Sequence, residues 1–221
     1  MDVVEHWDGI FKSREWGKYP DTSIVRFIGR NYFPVNDRSK INILEIGPGP
    51  GANLWFLANE KFKVWGIEGS VTATEKCIKR LEEDSLSGQI GSIVAGNFNN
   101  IPFDNNKFEA IIDVEALSCN DFRTSKEIIS SVVDKLKSGG KFFSLTFTDK
   151  CSREGEEISR NYYNISGGNF AGMGCIRFTK KDEIEELYLR ADVQINSVEQ
   201  YDRILADGSI ISEWGIEVQK L

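Results

Sequence analysis

The chain has a single histidine, His6, in 221 residues, and only two methionines and five prolines. Its four cysteines, Cys77, Cys119, Cys151 and Cys175, stand far apart with no CxxC pair. One histidine and dispersed thiols leave no ligand set for a zinc centre, so no metal site is expected. The thiols read as free and mostly buried, in a reducing compartment. Basic residues are also scarce: 27 Lys and Arg face 34 Asp and Glu, a net charge of -7. A general nucleic-acid binder needs a basic face to displace counterions from phosphates, and this balance lacks one. No run approaches the roughly 18 apolar residues of a membrane-crossing helix, and the N-terminal residues lack the basic head and apolar stretch of a signal peptide. The expectation is a cytoplasmic protein, monomer or homodimer, with no nucleic-acid and no membrane partner.

What is present is a globular composition, 40% hydrophobic and 28% charged, in a length that permits one large or two small domains. Residues 1–40 read as a helical, aromatic cap: Trp7, Phe11 and Trp16 lead to Tyr19-Pro20, and Asp21-Thr22-Ser23 offers an N-cap for a helix over Ile24 to Phe33. From Ile41 onward strands and helices alternate. Ile41–Ile46, Lys63–Ile67, Ser92–Ala95, Phe108–Val114 and Lys141–Thr148 read as strands, the last preceded by a stop at Gly139-Gly140. Helices fall at 52–60, Thr72–Asp84 and Ser125–Leu136. Nearly continuous apolar strands separated by helices predict an α/β, doubly wound sheet. After a glycine-rich stretch, Ser166–Cys175, come a helix over Lys180–Arg190 and two strands joined through Ala206-Asp207-Gly208, a hairpin signal. One domain over 1–221 is expected: cap 1–40, core 41–150, loop 151–178, and C-terminal helix and hairpin 179–221.

The most informative segment is Leu44-Glu45-Ile46-Gly47-Pro48-Gly49-Pro50-Gly51-Ala52-Asn53, where the first strand meets a helix. Gly47, Gly49 and Ala52 satisfy G-x-G-x-x-A, which taken alone fits a dinucleotide. Pro48 and Pro50 have no N–H to give a pyrophosphate, and Glu45 would repel one. The loop suits a ligand with positive charge and no phosphates.

Glu45-x-Gly47-x-Gly49-x-Gly51 resembles the first motif of class I S-adenosylmethionine-dependent methyltransferases, and residues 40–148 agree with that family in the order and spacing of their motifs. The resemblance implies a Rossmann-like mixed seven-stranded sheet with an antiparallel C-terminal hairpin, and S-adenosyl-L-methionine as cofactor. It implies that Glu68, in Ile67-Glu68-Gly69-Ser70, accepts hydrogen bonds from both ribose hydroxyls, as a carboxylate can. It places Asn97, where the family often has Asp, and Phe98 beside the adenine. Tyr19, Glu45, Gly47, Gly49, Asn53, Gly69, Ser70 and Asp113 complete the expected cofactor contacts, and Trp7, Trp16 and Tyr19 become candidate lid residues.

Methyl transfer needs alignment of nucleophile, carbon and sulfur, and a base only if the acceptor must lose a proton. Glu115, on the exit of the fourth strand, and His6, the one imidazole of the sequence, are the candidate catalytic groups. No Asn-Pro-Pro-Tyr or Asp-Pro-Pro-Tyr follows that strand, which counts against amino-methylation of nucleobases or glutamine. The expected acceptor is a small molecule, offering a hydroxyl, carboxyl or soft nucleophile on a metabolite or sugar. An NAD-dependent oxidoreductase and a non-catalytic S-adenosylmethionine sensor remain the alternatives.

Overall fold

The computed structural model describes residues 3–221; the first two residues of the expected cap lie outside the described ones. Helices α1 (Val3–Ser13) and α2 (Thr22–Asn31) precede the strands β1 (Asn42–Ile46), β2 (Lys63–Glu68), β3 (Ile90–Ala95), β4 (Phe108–Val114) and β5 (Leu136–Phe147). Helix α3 (Ala52–Asn59) connects β1 to β2, α4 (Val71–Glu83) connects β2 to β3, and α5 (Phe122–Lys135) connects β4 to β5. The chain then forms β6 (Glu154–Ser159), β7 (Tyr162–Gly167) and β8 (Cys175–Arg177), helix α6 (Ile184–Tyr188), and the long strands β9 (Val193–Ile204) and β10 (Ile210–Lys220).

Seven strands make one sheet in the order β3-β2-β1-β4-β5-β10-β9. The five on the β3 side run parallel, and β10 returns antiparallel between β5 and β9. Successive side chains of a strand point to opposite faces, which divides the apolar runs between two layers. Ile43, Ile112 and Phe143 pack under α2, α3 and α4 with Phe27, Leu54 and Leu81. Leu44, Ile111 and Phe142 pack on the opposite face under α5 and α6 with Ile129, Leu187 and Tyr188. The helices begin where sequence caps them: Asp21 accepts from Ser23 N, Ser70 from Ala73 N and Asp121 from Thr124 N.

Three expectations need correction. Gly139-Gly140 does not stop the chain before a strand. Strand β5 already starts at Leu136, and the glycines, Gly139 with φ +77, absorb a register shift against β4 as a bulge. The helix expected over Lys180–Arg190 shrinks to a 3-10 turn, Lys181–Glu183, and the five-residue α6. Buried Glu183 accepts from Lys180 N, Arg160 and Asn161, and these bonds tighten the first turn. Residues 151–178, expected as a loop, instead hold the antiparallel sheet β6-β7-β8. Its own apolar cluster of Phe147, Cys151, Phe170, Ile176 and Phe178 orders it. The expected hairpin forms, with Asp207 Oδ1 accepting from Ser209 N at 2.9 Å in the turn.

Candidate active site

The chain leaves β1 toward β2 on one side and later returns to β4 on the other, so a crevice opens outside the carboxyl ends of these strands. The glycine loop after β1 floors it. Gly47 has φ +67, and a Cβ there would stand 2.3 Å from the Cβ of Ala116, so only glycine lets this loop touch the β4 exit. The loop's three glycine N–H groups are all used inside the protein. Gly47 N donates to Ile67 O, Gly51 N to Pro48 O, and Gly49 N to Glu68 Oε2 at 2.9 Å. With two prolines between them, nothing in these glycines cradles a pyrophosphate, and the dinucleotide alternative loses its basis.

Two carboxylates flank the loop. Glu68, at the end of β2, accepts from Gly49 N through Oε2 and from Ser70 N through Oε1, each at 2.9 Å. Each oxygen retains a lone pair, which suits a vicinal diol. Burial raises its pKa while the backbone donors oppose the rise. Glu45, in β1, is 1% exposed; its Oε1 accepts from Asn53 Nδ2 at 2.6 Å and its Oε2 has no partner. Burial pushes its pKa up to about 8, with Asp113 and Glu68 adding to the rise. Asn53 is held in turn by Asp21 N, which donates to its Oδ1 at 3.0 Å. A buried carboxylate oxygen without a partner is a costly arrangement that a cationic ligand relieves.

The cavity above this floor measures about 320 Å³. Helix α1 roofs it with Val4 against Gly69 and Phe11 against Gly49, at 3.3 and 3.4 Å from where a Cβ would stand. Trp7, Phe11 and Trp16 form a continuous aromatic face, with ring centroids 5.7 and 5.2 Å apart. The roof is tied to α4: Asp8 accepts from Ser70 Oγ and Thr72 N, Lys76 donates to Phe11 O, and Arg80 donates to Trp16 O and Gly17 O. Lys12 and Ser70 hold the Asp8 carboxyl far below the ordinary range. On the far side His6 Nε2 lies 2.9 Å from Gly172 O, which joins α1 to the segment between β7 and β8, and Met173 of that segment reaches the cavity.

Of the expected site residues, Glu45, Gly47, Gly49, Asn53, Glu68, Gly69, Ser70, Asn97, Phe98 and Glu115 line the cavity together. Ser70 Oγ is already engaged, accepting from Ala73 N and donating to Asp8. Asn97 Oδ1 accepts from Asn99 N at 2.9 Å in a turn. The remaining three stand elsewhere. Asp113 points away from the cavity: it is fully buried, accepts from Leu117 N and Ser144 Oγ, and is pushed by burial to a pKa of about 7. Tyr19 is 81% exposed, edge-on to Trp55 on the outer surface. His6 is a roof contact and does not line the cavity. Sequence reasoning missed Asp8, Cys119, Asn120 and Met173 as parts of the site. Only the capping pattern at Ser70 could have pointed to Asp8, since the others meet the cavity through tertiary contact.

The sheet order, the loop and the strand-end carboxylates define a Rossmann-like cofactor-binding enzyme. Residues 43–140 match the family model described as a methyltransferase domain. That segment, with the strand order around it, has the make-up of a methyltransferase domain on a Rossmann-like sheet. Among solved structures, it is similar to an S-adenosylmethionine-dependent methyltransferase from Methanosarcina mazei, with 20% identity, a TM-score of 0.71, and coverage of 88% of this chain and 97% of that one. It is also similar to the CcbJ methyltransferase of Streptomyces caelestis, with 14% identity over 100% and 99% of the two chains and a TM-score of 0.70. A third is the geranyl diphosphate C-methyltransferase of Streptomyces coelicolor, solved with Mg2+, geranyl diphosphate and S-adenosyl-L-homocysteine, at 14% identity, 89% and 76% coverage and a TM-score of 0.64. No curated protein matches the chain by sequence.

Proposed function

We propose that this enzyme methylates a small molecule that enters between α1 and the β7–β8 segment. The observation that carries this reading is the pair of buried carboxylates beside the glycine loop, Glu68 with free lone pairs and Glu45 with an unpartnered oxygen. S-adenosylmethionine, when bound, supplies an electrophilic methyl group on a sulfonium. Glu68 would hold the ribose hydroxyls, and Glu45, fixed by Asn53, would face the amino-acid ammonium. Phe98, packed over Gly47, and the Asn97 amide would take the adenine. Helix α1 excludes water with its aromatic face, which strengthens each of these electrostatic contacts.

The acceptor end is the region of Trp7, Glu115, Cys119, Asn120 and Met173. Of the acceptor groups expected from sequence, a carboxyl is the least compatible, since the described wall offers it no Lys, Arg or His to pair with. No described helix is long and apolar enough to cross a membrane. The test is calorimetry with S-adenosylhomocysteine and NADH, followed by mass spectrometry for S-adenosylhomocysteine formed from S-adenosylmethionine over a metabolite panel. Micromolar binding of S-adenosylhomocysteine without NADH binding is expected; the reverse order of affinities would overturn the reading.

A further inference from the structure

The cavity wall carries a selection that methyl transfer alone does not demand. Three carboxyl side chains, Glu45, Glu68 and Glu115, line it, and the described lining residues include no Lys, Arg or His. The first two face the cofactor end, so Glu115 is left for the acceptor. It leaves β4 in a left-handed conformation, φ +63, with its N–H donating to Leu145 O at 2.8 Å. Burial and the neighbouring Glu213 carboxyl of β10 raise the Glu115 pKa well above the ordinary carboxyl value, as expected where two close carboxyls cannot both ionise.

The surroundings maintain that rise. Glu213 is 6% exposed, and its one basic partner is Arg203 of β9, Nη2 to Oε2 at 3.4 Å. Asp21, ahead of α2, adds negative field. Arg203 only partly opposes the rise in the Glu115 pKa. Trp7 and Cys119 line the same end, and burial pushes the Cys119 thiol up to about 12 and so keeps it neutral. In the same cavity, the buried Glu45 Oε2 is independently short of a positive partner.

Resting on the methyl-transfer reading above, we propose that the acceptor is an amine, bound as an ammonium between Trp7 and the Glu115–Glu213 pair, with Glu115 taking its proton and Glu213 positioning Glu115. The ammonium gives its proton to a Glu115 oxygen. The freed nitrogen lone pair forms the bond to the methyl carbon, the carbon–sulfur pair stays on sulfur, and the positive charge passes from sulfonium to the methylated nitrogen. The proton on Glu115 then leaves to water when the cavity opens.

Each part of the site favours this acceptor over the others. A cation beside a sulfonium needs an acidic wall to offset the repulsion, and an aromatic ring attracts it further. The ammonium also supplies the positive charge that lets Glu115 ionise before it receives the proton. A hydroxyl holds its proton far more tightly than an ammonium and is poorly matched to a carboxylate base. A carboxylate acceptor would find no Lys, Arg or His among the described lining residues to pair with.

Benzylamine, benzyl alcohol and benzoate share a shape and differ in charge, and serve as probes. Each is titrated by calorimetry into protein saturated with S-adenosylhomocysteine, from pH 5 to pH 9. Benzylamine should bind at least about tenfold more tightly than the alcohol, with benzoate weakest. Glu115→Gln should abolish that preference while retaining S-adenosylhomocysteine affinity. Glu213→Gln should keep the preference but move the lower pH midpoint of amine affinity downward, because it removes a group that raises the Glu115 pKa; a purely structural Glu213 would leave the midpoint in place. If Glu115→Gln fails to fold, the midpoint in Glu213→Gln decides. Equal or tighter binding of the alcohol or benzoate, no measurable binding of benzylamine, or an unmoved midpoint overturns the proposal. S-adenosylhomocysteine binding to wild-type protein separates the two levels: its failure defeats the methyl-transfer reading, whereas its success without amine preference defeats only the acceptor.

Discussion

The floor and the roof of the cavity are built in different ways. The floor consists of strand ends and a glycine loop, where buried carboxylates are held by backbone N–H groups and by Asn53. The roof is α1 and the β7–β8 segment, held to the rest by side-chain bonds from Asp8, Lys76, Arg80 and His6. Ligand chemistry therefore belongs to the rigid part, and access belongs to elements whose attachments are few and more exposed.

The comparison predicts large effects from floor substitutions and small ones from the roof. Glu68→Ala should weaken S-adenosylhomocysteine binding by roughly a hundredfold, because it removes the diol acceptor and strips Gly49 N and Ser70 N of their partner; calorimetry measures it. Glu45 should make the free protein less stable as pH rises. Its folded pKa of about 8 lies above the ordinary carboxyl value, so its stability is complete below that ordinary value and is lost as pH climbs toward 8. Melting curves should show the decline, and Glu45→Gln should reduce it, leaving the same-direction contributions of Asp113, Glu68 and Glu115, whose pKa values burial also raises. An identical decline in the variant would remove Glu45 from the argument.

Gly47→Ala should cost about 2–3 kcal/mol in denaturant unfolding, through positive φ and the clash with Ala116. On the roof, His6→Ala removes the contact to Gly172 O and the edge contact with Trp7, and should cost only about 0.5–1.5 kcal/mol. It should speed S-adenosylhomocysteine release several-fold in stopped flow with little change in melting temperature. Tyr19→Phe should alter cofactor affinity by less than about 0.5 kcal/mol, since the ring stands outside the cavity. A large effect at Tyr19 would mean that the roof closes further over bound cofactor.

The floor was legible in the sequence because parallel strands place their last residues at one edge, and carboxylates at the ends of consecutive apolar runs must meet there. Glu45 and Glu68 follow from that rule. Asp113 shows its limit: it sits at a strand end too, yet its side chain turns toward Ser144 and the α6 layer, and it is Glu115, re-aimed by its left-handed backbone, that reaches the cavity. The roof was less legible. Strand β6, Glu154–Ser159, is acidic and exposed throughout, with no apolar alternation to announce it. Glu213 carries no local signal either, because its pairing with Glu115 depends on where β10 returns beside β5.

Helix α1 presses Phe11 and Val4 onto the glycines of the floor. Product held under these contacts should stay longer the more firmly α1 is attached, so loosening α1 should shorten its residence time, and turnover limited by that step should slow as solvent viscosity increases.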